Sequence, residues 1–333
     1  MTDGPAVGTT TGDELQPGEL APGVTEAGLD NPIRLLEAHQ RALLTDGFVV
    51  QQTTTVAHDG VEEVRLTQTT TAGPGGEIVR QTARSTGYDA DGTEIVTDVD
   101  LWLNQTTRVL RHVEAGETTF DVGERVTLPG DMVWSGGLQR EVQTAATAYR
   151  VTTGPDADTV RLEAALDRVG SDGETDTTVT LAVDDSGVIR SAETVVEYGD
   201  GTAYRTTYTV ERLGVTAPER PDWVDEVPAS AALELGLDLE SFDDSTVTLV
   251  HTHGDAVPAG STVTLESGGV VYETTLVEPF RGGTLTLWVD GDGELRVAPE
   301  GAGSDATTAF GDELSVTVRA PDGGELFSTS VGR

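Results

Sequence analysis

A mainly β protein is predicted: a curved antiparallel sheet with one packing helix, then a β-sandwich. Three observations point there. Most of the chain after Gly47 alternates with period two, turn dipeptides recur at regular spacing, and strong helical periodicity is confined to one early stretch. In 202–213, Tyr204, Thr206, Tyr208 and Val210 face one way while Arg205, Thr207, Thr209 and Glu211 face the other. Val179, Leu181 and Val183 alternate with Thr178, Thr180 and Ala182 in the same manner. Asp91-Gly92, Ser186-Gly187 and Asp200-Gly201 are tight enough to join neighbouring strands as hairpins.

Residues 1–30 are rich in Gly, Thr, Pro and acids and lack apolar periodicity, which predicts a flexible acidic tether. A first domain is expected over 31–215. It opens with a helix at 31–46, capped by Asn31, with Pro32 at a first-turn position that tolerates it and Gly47 ending it. Ile33, Leu36, His39 and Leu43 mark the apolar side of that helix. Strands are expected at 47–58, 61–72, 77–88, 93–104, 106–115 and 117–128, then at 144–153, 158–168, 175–184, 187–199 and 202–213. Strands this long exceed the usual 5–6 residues, and with one apolar face they curl around something. The interruption at 129–143 carries Met132, Trp134 and Leu138, and is expected to lie as a helix or loop across the concave side. The prolines of 216–244 (Pro218, Pro221 and Pro228), with the following ASAALELGLDLESFDD, predict a linker with a short helix. Shorter strands follow within 245–333, at 245–252, 260–267, 270–277, 283–289, 294–298, 313–319 and 325–331, the pattern of a β-sandwich.

Charge narrows the function. The chain has 58 acidic and 20 basic residues, a formal net charge of -38, and every basic residue is arginine. Such self-repulsion suits molar salt, where the screening length is roughly 3 Å. The reading is a halophilic protein. Nucleic acid is excluded as a partner because phosphate contacts need clustered Arg or Lys. No apolar run approaches a membrane span, and the first residues lack the charged and apolar regions of a secretory signal. The chain contains no cysteine, so disulfides, thiol nucleophiles and thiolate metal sites are excluded.

Few residues suggest chemistry. His251 and His253 share one face at the end of an expected strand, with Asp255 close behind, a metal-site pattern that a solvated strand end explains equally well. Asp290, Asp292 and Glu294 surround two glycines without the ligand spacing of a calcium loop, so an acidic hairpin turn is expected. His39 reads as a core histidine holding the helix to the sheet. No nucleophile elbow, zinc-protease, phosphate-loop or dinucleotide fingerprint occurs. No enzyme and no cofactor are expected. Trp102, Phe120, Met132, Trp134 and Leu138 gather the apolar weight of the first domain's middle. They read as core, with cavity lining as the functional alternative, since ligand pockets are mostly apolar and aromatic.

Three stretches carry a resemblance: LAPGVTEAGLDNPIRLLEAHQRALLTDGFVV (20–50), DDSGVIRSAETVVEYGDGTAYRTTYTVERLG (184–214) and APERPDWVDEV (217–227). Together they resemble a haloarchaeal envelope lipoprotein family with a LolA/LppX-like fold. The resemblance covers roughly 20–227. It implies a half-barrel sheet and helix enclosing an apolar cavity that binds a hydrophobic small molecule or lipid, at the extracytoplasmic cell surface. The chain departs from the family in showing no signal peptide and no lipid-anchor cysteine. The stretch STVTLVHTHGDAVPAGSTVTLESGG (245–269) resembles the immunoglobulin-like appendages of haloarchaeal surface proteins. The function expected is a non-enzymatic envelope protein that holds a lipid. The alternatives are a structural or adhesive surface protein with envelope partners, and a metal-dependent enzyme built on His251 and His253.

Overall fold

The computed structural model describes residues 15–332 except 89–90, 135–136, 153–157, 171–172, 300, 302–305, 307 and 312. The chain is mainly β and divides into two compact units. One comprises Met1–Thr118 and Glu124–Pro221, the other Thr119–Gly123 and Asp222–Arg333.

The first unit begins with a small sheet of β1 (Glu19–Ala21), β2 (Val24–Thr25) and β3 (Gly28–Leu29). This corrects the expected tether: Ala21 and Val24 are fully buried, and Leu29 joins them in the core. Their apolar side chains are only a few residues apart, too short a run to show a period, and turns between them supply the pairing. Residues 1–14 of that expected tether lie outside the described residues.

Helix α1 (Pro32–Asp46) starts where Asn31 accepts the Arg34 amide and ends where the Gly47 amide donates to the Leu43 carbonyl. It buries Leu35, Leu36, Ala38, His39 and Leu43. There follow β4 (Phe48–His58), β5 (Val61–Ala72), β6 (Val79–Tyr88), β7 (Glu94–Leu103), β8 (Thr107–Glu114) and β9 (Glu117–Glu124). After the short helix α2 (Leu138–Thr144) come β10 (Arg150–Thr152), β11 (Thr159–Gly170), β12 (Gly173–Asp184), β13 (Ile189–Tyr198) and β14 (Thr202–Leu213). These form one 11-stranded sheet in the order β10-β11-β12-β13-β14-β4-β5-β6-β7-β8-β9. An open sheet of this many strands curls rather than staying flat.

That order explains the interruption. Two meanders, β4 to β9 and β10 to β14, meet at the β4–β14 pair, so β9 and β10 lie at opposite edges. The chain between them must cross the sheet. It does so with Met132, Val133, Leu138, Val142 and Ala145 buried in the same core as α1. The expected strand at 144–153 shrinks to Arg150–Thr152, because α2 runs on to Thr144 and the Ala148 amide then closes a turn on the Ala145 carbonyl. Arg125 pins the start of this crossing: its guanidinium donates to the carbonyls of Gly76, Glu77, Asn104 and Thr127.

The second unit has two four-stranded antiparallel sheets. One is ordered β15-β16-β19-β20, from β15 (Leu235–Phe242), β16 (Thr246–Gly254), β19 (Gly283–Val289) and β20 (Leu295–Pro299). The other is ordered β18-β17-β21-β22, from β17 (Thr262–Ser267), β18 (Val270–Thr275), β21 (Glu313–Arg319) and β22 (Glu325–Gly332). Leu249 and Leu287 of the first sheet and Leu265 and Val316 of the second are fully buried in one shared core, which makes the unit a sandwich. The expected linker helix is corrected here. Two 3-10 turns, Asp222–Asp225 and Ala229–Ala232, precede β15, which pairs along β16. Leu235, Leu237 and Leu239 alternate with Gly236 and Asp238, so the segment has a strand's period.

Candidate functional site

Strand alternation gives the large sheet two faces. Phe48, Val50 and Gln52 of β4 look toward the helices, as do Tyr208 and Val210, their neighbours on β14. Ala192 and Ile189 of β13, Leu181 and Val183 of β12, and Leu162 of β11 continue this face. On the other side of β4 it runs through Ala72, Val79 and Leu103. All of these apolar residues belong to one core with α1 and α2.

His39 is the polar rivet of that core. It is 0% exposed, and its Nδ1 accepts the Ile189 backbone N–H at 3.1 Å. Nε2 therefore carries the proton of the neutral ring and donates to the Tyr208 hydroxyl at 3.0 Å. The Trp134 ring lies 5.3 Å away, centroid to centroid. Burial, the largest influence, pushes the imidazole down to about 3; Arg190 acts the same way and Asp184 opposes it. Burial pushes the Tyr208 hydroxyl up, so it keeps its proton. The sequence expectation for His39 thus matches its place: it joins α1 to β13 and β14.

Beyond the helices the same face carries on, partly exposed. In register across six adjacent strands lie Val196, Tyr204, Val56 and Val64, then Gly87 and Ile95. Val64 Cγ2 lies 3.7 Å from where a Gly87 Cβ would stand, which closes the row. Tyr204 is 42% exposed, Ile95 41% and Val64 39%. Tyr198 meets Tyr204 edge-on at 5.7 Å. Strands spaced about 4.8 Å apart make this an apolar track about 24 Å long. Ordinary surface apolar residues are scattered singly; these are aligned. At its inner end, between α2 and the sheet, a cavity of about 140 Å³ is lined by Gln52, Leu138, Glu141, Ala192, Val196 and Tyr208, with two threonines.

The five expected cavity residues separate. Met132, Leu138 and Trp134 lie in or against the core beside the helices. Leu138 alone among the five lines the small cavity. Trp102 is corrected: it pairs with Arg80 and Val109, so it lies on the face opposite Leu101 and Leu103, although it too is buried. Phe120 is corrected as well; it stacks on Trp223 at 6.3 Å, within the second unit. Sequence clustering grouped them, and period-two geometry parts them. The aligned track was missed because its members sit in six separate strands.

His251, His253 and Asp255 do not converge on a metal. His251 Nε2 bonds the Asp255 backbone carbonyl at 2.6 Å, and His253 Nδ1 bonds the Thr252 hydroxyl at 3.0 Å. Among the described residues, no three His, Asp or Glu side chains are grouped as a metal requires. Asp290 is an acidic turn: its carboxylate accepts the Asp292 and Glu294 amides and pairs with Arg296. The Arg296 bond, together with those amides, holds its carboxyl below the usual carboxylate range.

No protein-family model matches the chain. No curated protein sequence matches it either. Among solved structures, one similar chain is a LolA superfamily protein from Nitrosomonas europaea, 14% identical, with 57% of this chain and 94% of that chain covered and a TM-score of 0.22. Another comes from a 1.5-MDa bacterial ice-binding adhesin, 19% identical, with 88% of this chain and 92% of that chain covered and a TM-score of 0.15. Neither score reaches the level at which a common fold follows, so the fold is read from strand order and register. No described helix is long and apolar enough to cross a membrane.

Proposed function

We propose that this protein is a non-enzymatic, halophilic cell-surface protein that holds a hydrophobic ligand, a lipid, along the open apolar face of its large sheet. The carrying observation is the track from Val196 to Ile95, aligned across six strands, with Tyr204, Val64 and Ile95 exposed and Val196 and Val56 half-buried. Covering it removes apolar area from water at about 25 cal/mol per Å². The resemblance of 20–227 to envelope lipoproteins with a LolA/LppX-like half-barrel supports the choice of a lipid, and the looser resemblance of 245–269 supports an immunoglobulin-like spacer or docking module. The extracytoplasmic placement rests on the same resemblances. The net charge of -38 supports the saline setting.

The test is lipid binding in molar KCl, with a fluorescent long-chain lipid, by wild type and by Val56→Glu and Tyr204→Glu. Both positions lie on the track beyond the packed core, so the variants are expected to fold while losing at least ten-fold in affinity. Thermal midpoints taken on the same samples are expected to climb with added KCl. Unchanged binding by both variants would remove the track from the site, and midpoints indifferent to KCl would remove the halophilic reading. A partner protein that competes for the track, with no lipid bound, would favour the adhesive alternative.

A further inference from the structure

The cavity at the inner end of the track is not simply apolar. Gln52 is 8% exposed, faces the helices among apolar neighbours, and lines this cavity; its Oε1 is buried with no hydrogen-bond partner. A buried carbonyl left without a donor costs about 1–3 kcal/mol. Directly across the ladder stands Tyr208, 3% exposed, which lines the same cavity. The Ile189 amide fixes the His39 tautomer, so the Tyr208 oxygen already receives the Nε2 proton. Its own hydroxyl hydrogen is left to donate, and among the described residues no hydrogen bond uses it. Two residues on adjacent strands thus line one cavity, Gln52 with an acceptor lacking a partner and Tyr208 with a hydrogen left to donate, beside Leu138, Ala192 and Val196.

We propose that this cavity takes a hydroxyl group on an apolar ligand, the hydroxyl donating to Gln52 Oε1 and accepting from the Tyr208 hydroxyl. A hydroxyl is both donor and acceptor, so it satisfies both groups at once. An ammonium cannot accept from Tyr208. A carboxylate has no hydrogen for Gln52 Oε1 and would face Glu141, another lining residue. Size agrees: about 140 Å³ is close to the roughly 150 Å³ of a cavity that admits benzene, so it holds a six-carbon group with its hydroxyl rather than a whole lipid. Val196 belongs to both cavity and track. The ligand's hydroxyl end then sits under α2 while its apolar body runs out along the track. This assignment rests on the lipid reading above and makes that lipid an alcohol.

The experiment uses the full chain in molar KCl. Phenol and benzene are titrated separately into isotope-labelled protein, and the Gln52 side-chain amide is followed by NMR. Phenol is expected to bind at least ten-fold more tightly than benzene and to shift the Gln52 amide, because a site built to bond a hydroxyl rejects the analogue lacking it. Tyr208→Phe and Gln52→Leu are expected to abolish that preference. Leu138→Trp, which fills the cavity from α2, is expected to block both probes. Equal binding of phenol and benzene by wild type overturns the assignment, whether or not any variant folds, as does phenol binding that leaves the Gln52 amide unmoved. Hexadecan-1-ol separates the two readings. If phenol prefers the cavity but hexadecan-1-ol does not bind, the hydroxyl pocket stands and the lipid track falls. If hexadecan-1-ol binds without regard to Tyr208→Phe, the track stands and the pocket falls.

Discussion

Acidification is expected to destabilise the wild-type protein by roughly 1.4 kcal/mol per pH unit below pH 6.5 through His39 alone. The folded imidazole titrates at about 3, against 6.5 when unfolded. Between those values the unfolded chain binds a proton that the folded chain refuses, so stability falls as pH falls; above 6.5 both states are neutral there and the contribution is flat. The groups facing the ring account for the direction. Arg190 opposes a second positive charge, Asp184 favours it less strongly than burial forbids it, and Tyr208 and Trp134 are neutral. A His39→Gln variant is expected to lose this part of the slope. His39→Leu leaves the Ile189 amide and Tyr208 without their partner and is expected to cost about 2–4 kcal/mol at pH 7. Urea unfolding at pH 7, 5.5 and 4.5 reads both effects; identical slopes in wild type and His39→Gln would contradict the buried neutral ring.

Gly47→Ala is expected to cost several kcal/mol, about 2–4, without touching the ligand site. Gly47 turns the chain from α1 into β4 at φ 75, a conformation L residues rarely adopt. An added Cβ would also stand 2.4 Å from the Val215 carbonyl oxygen and 3.0 Å from that of Ala72. Both obstacles are backbone, and neither can swing away. The position is fixed further by its amide on Leu43 and its carbonyl under the Gly214 amide. The check is the shift of the urea midpoint, and a loss below about 0.5 kcal/mol would mean that the helix–strand corner yields easily.

Much of this fold was legible because period two is a strong signal when strands are long. The helix at 31–46 and nearly every strand after Gly47 lie where alternation put them. What failed has a physical reason in each case. The leucines of 235–239 follow an alanine-rich stretch that suggests a helix, yet their two-residue spacing places them along β16. β1 to β3 are too short for any period to show. Trp102 was separable in principle: it sits between Leu101 and Leu103, and one strand cannot point all three inward. Gln52 also left a trace, as an amide in phase with Phe48 and Val50, where a core-facing residue belongs. The track left none that a linear reading could assemble. Val56, Val64, Ile95, Val196 and Tyr204 become neighbours only through strand register, above all the β4–β14 pair that joins the two meanders.

The central claim, a lipid held on the sheet's open face, is tested most directly by purifying the full chain from its host in molar salt, extracting it with organic solvent, and running mass spectrometry on the extract. The account predicts one class of lipid, near one molecule per chain, carrying a free hydroxyl. An extract free of lipid, and still free after incubation with total host lipids, would contradict it.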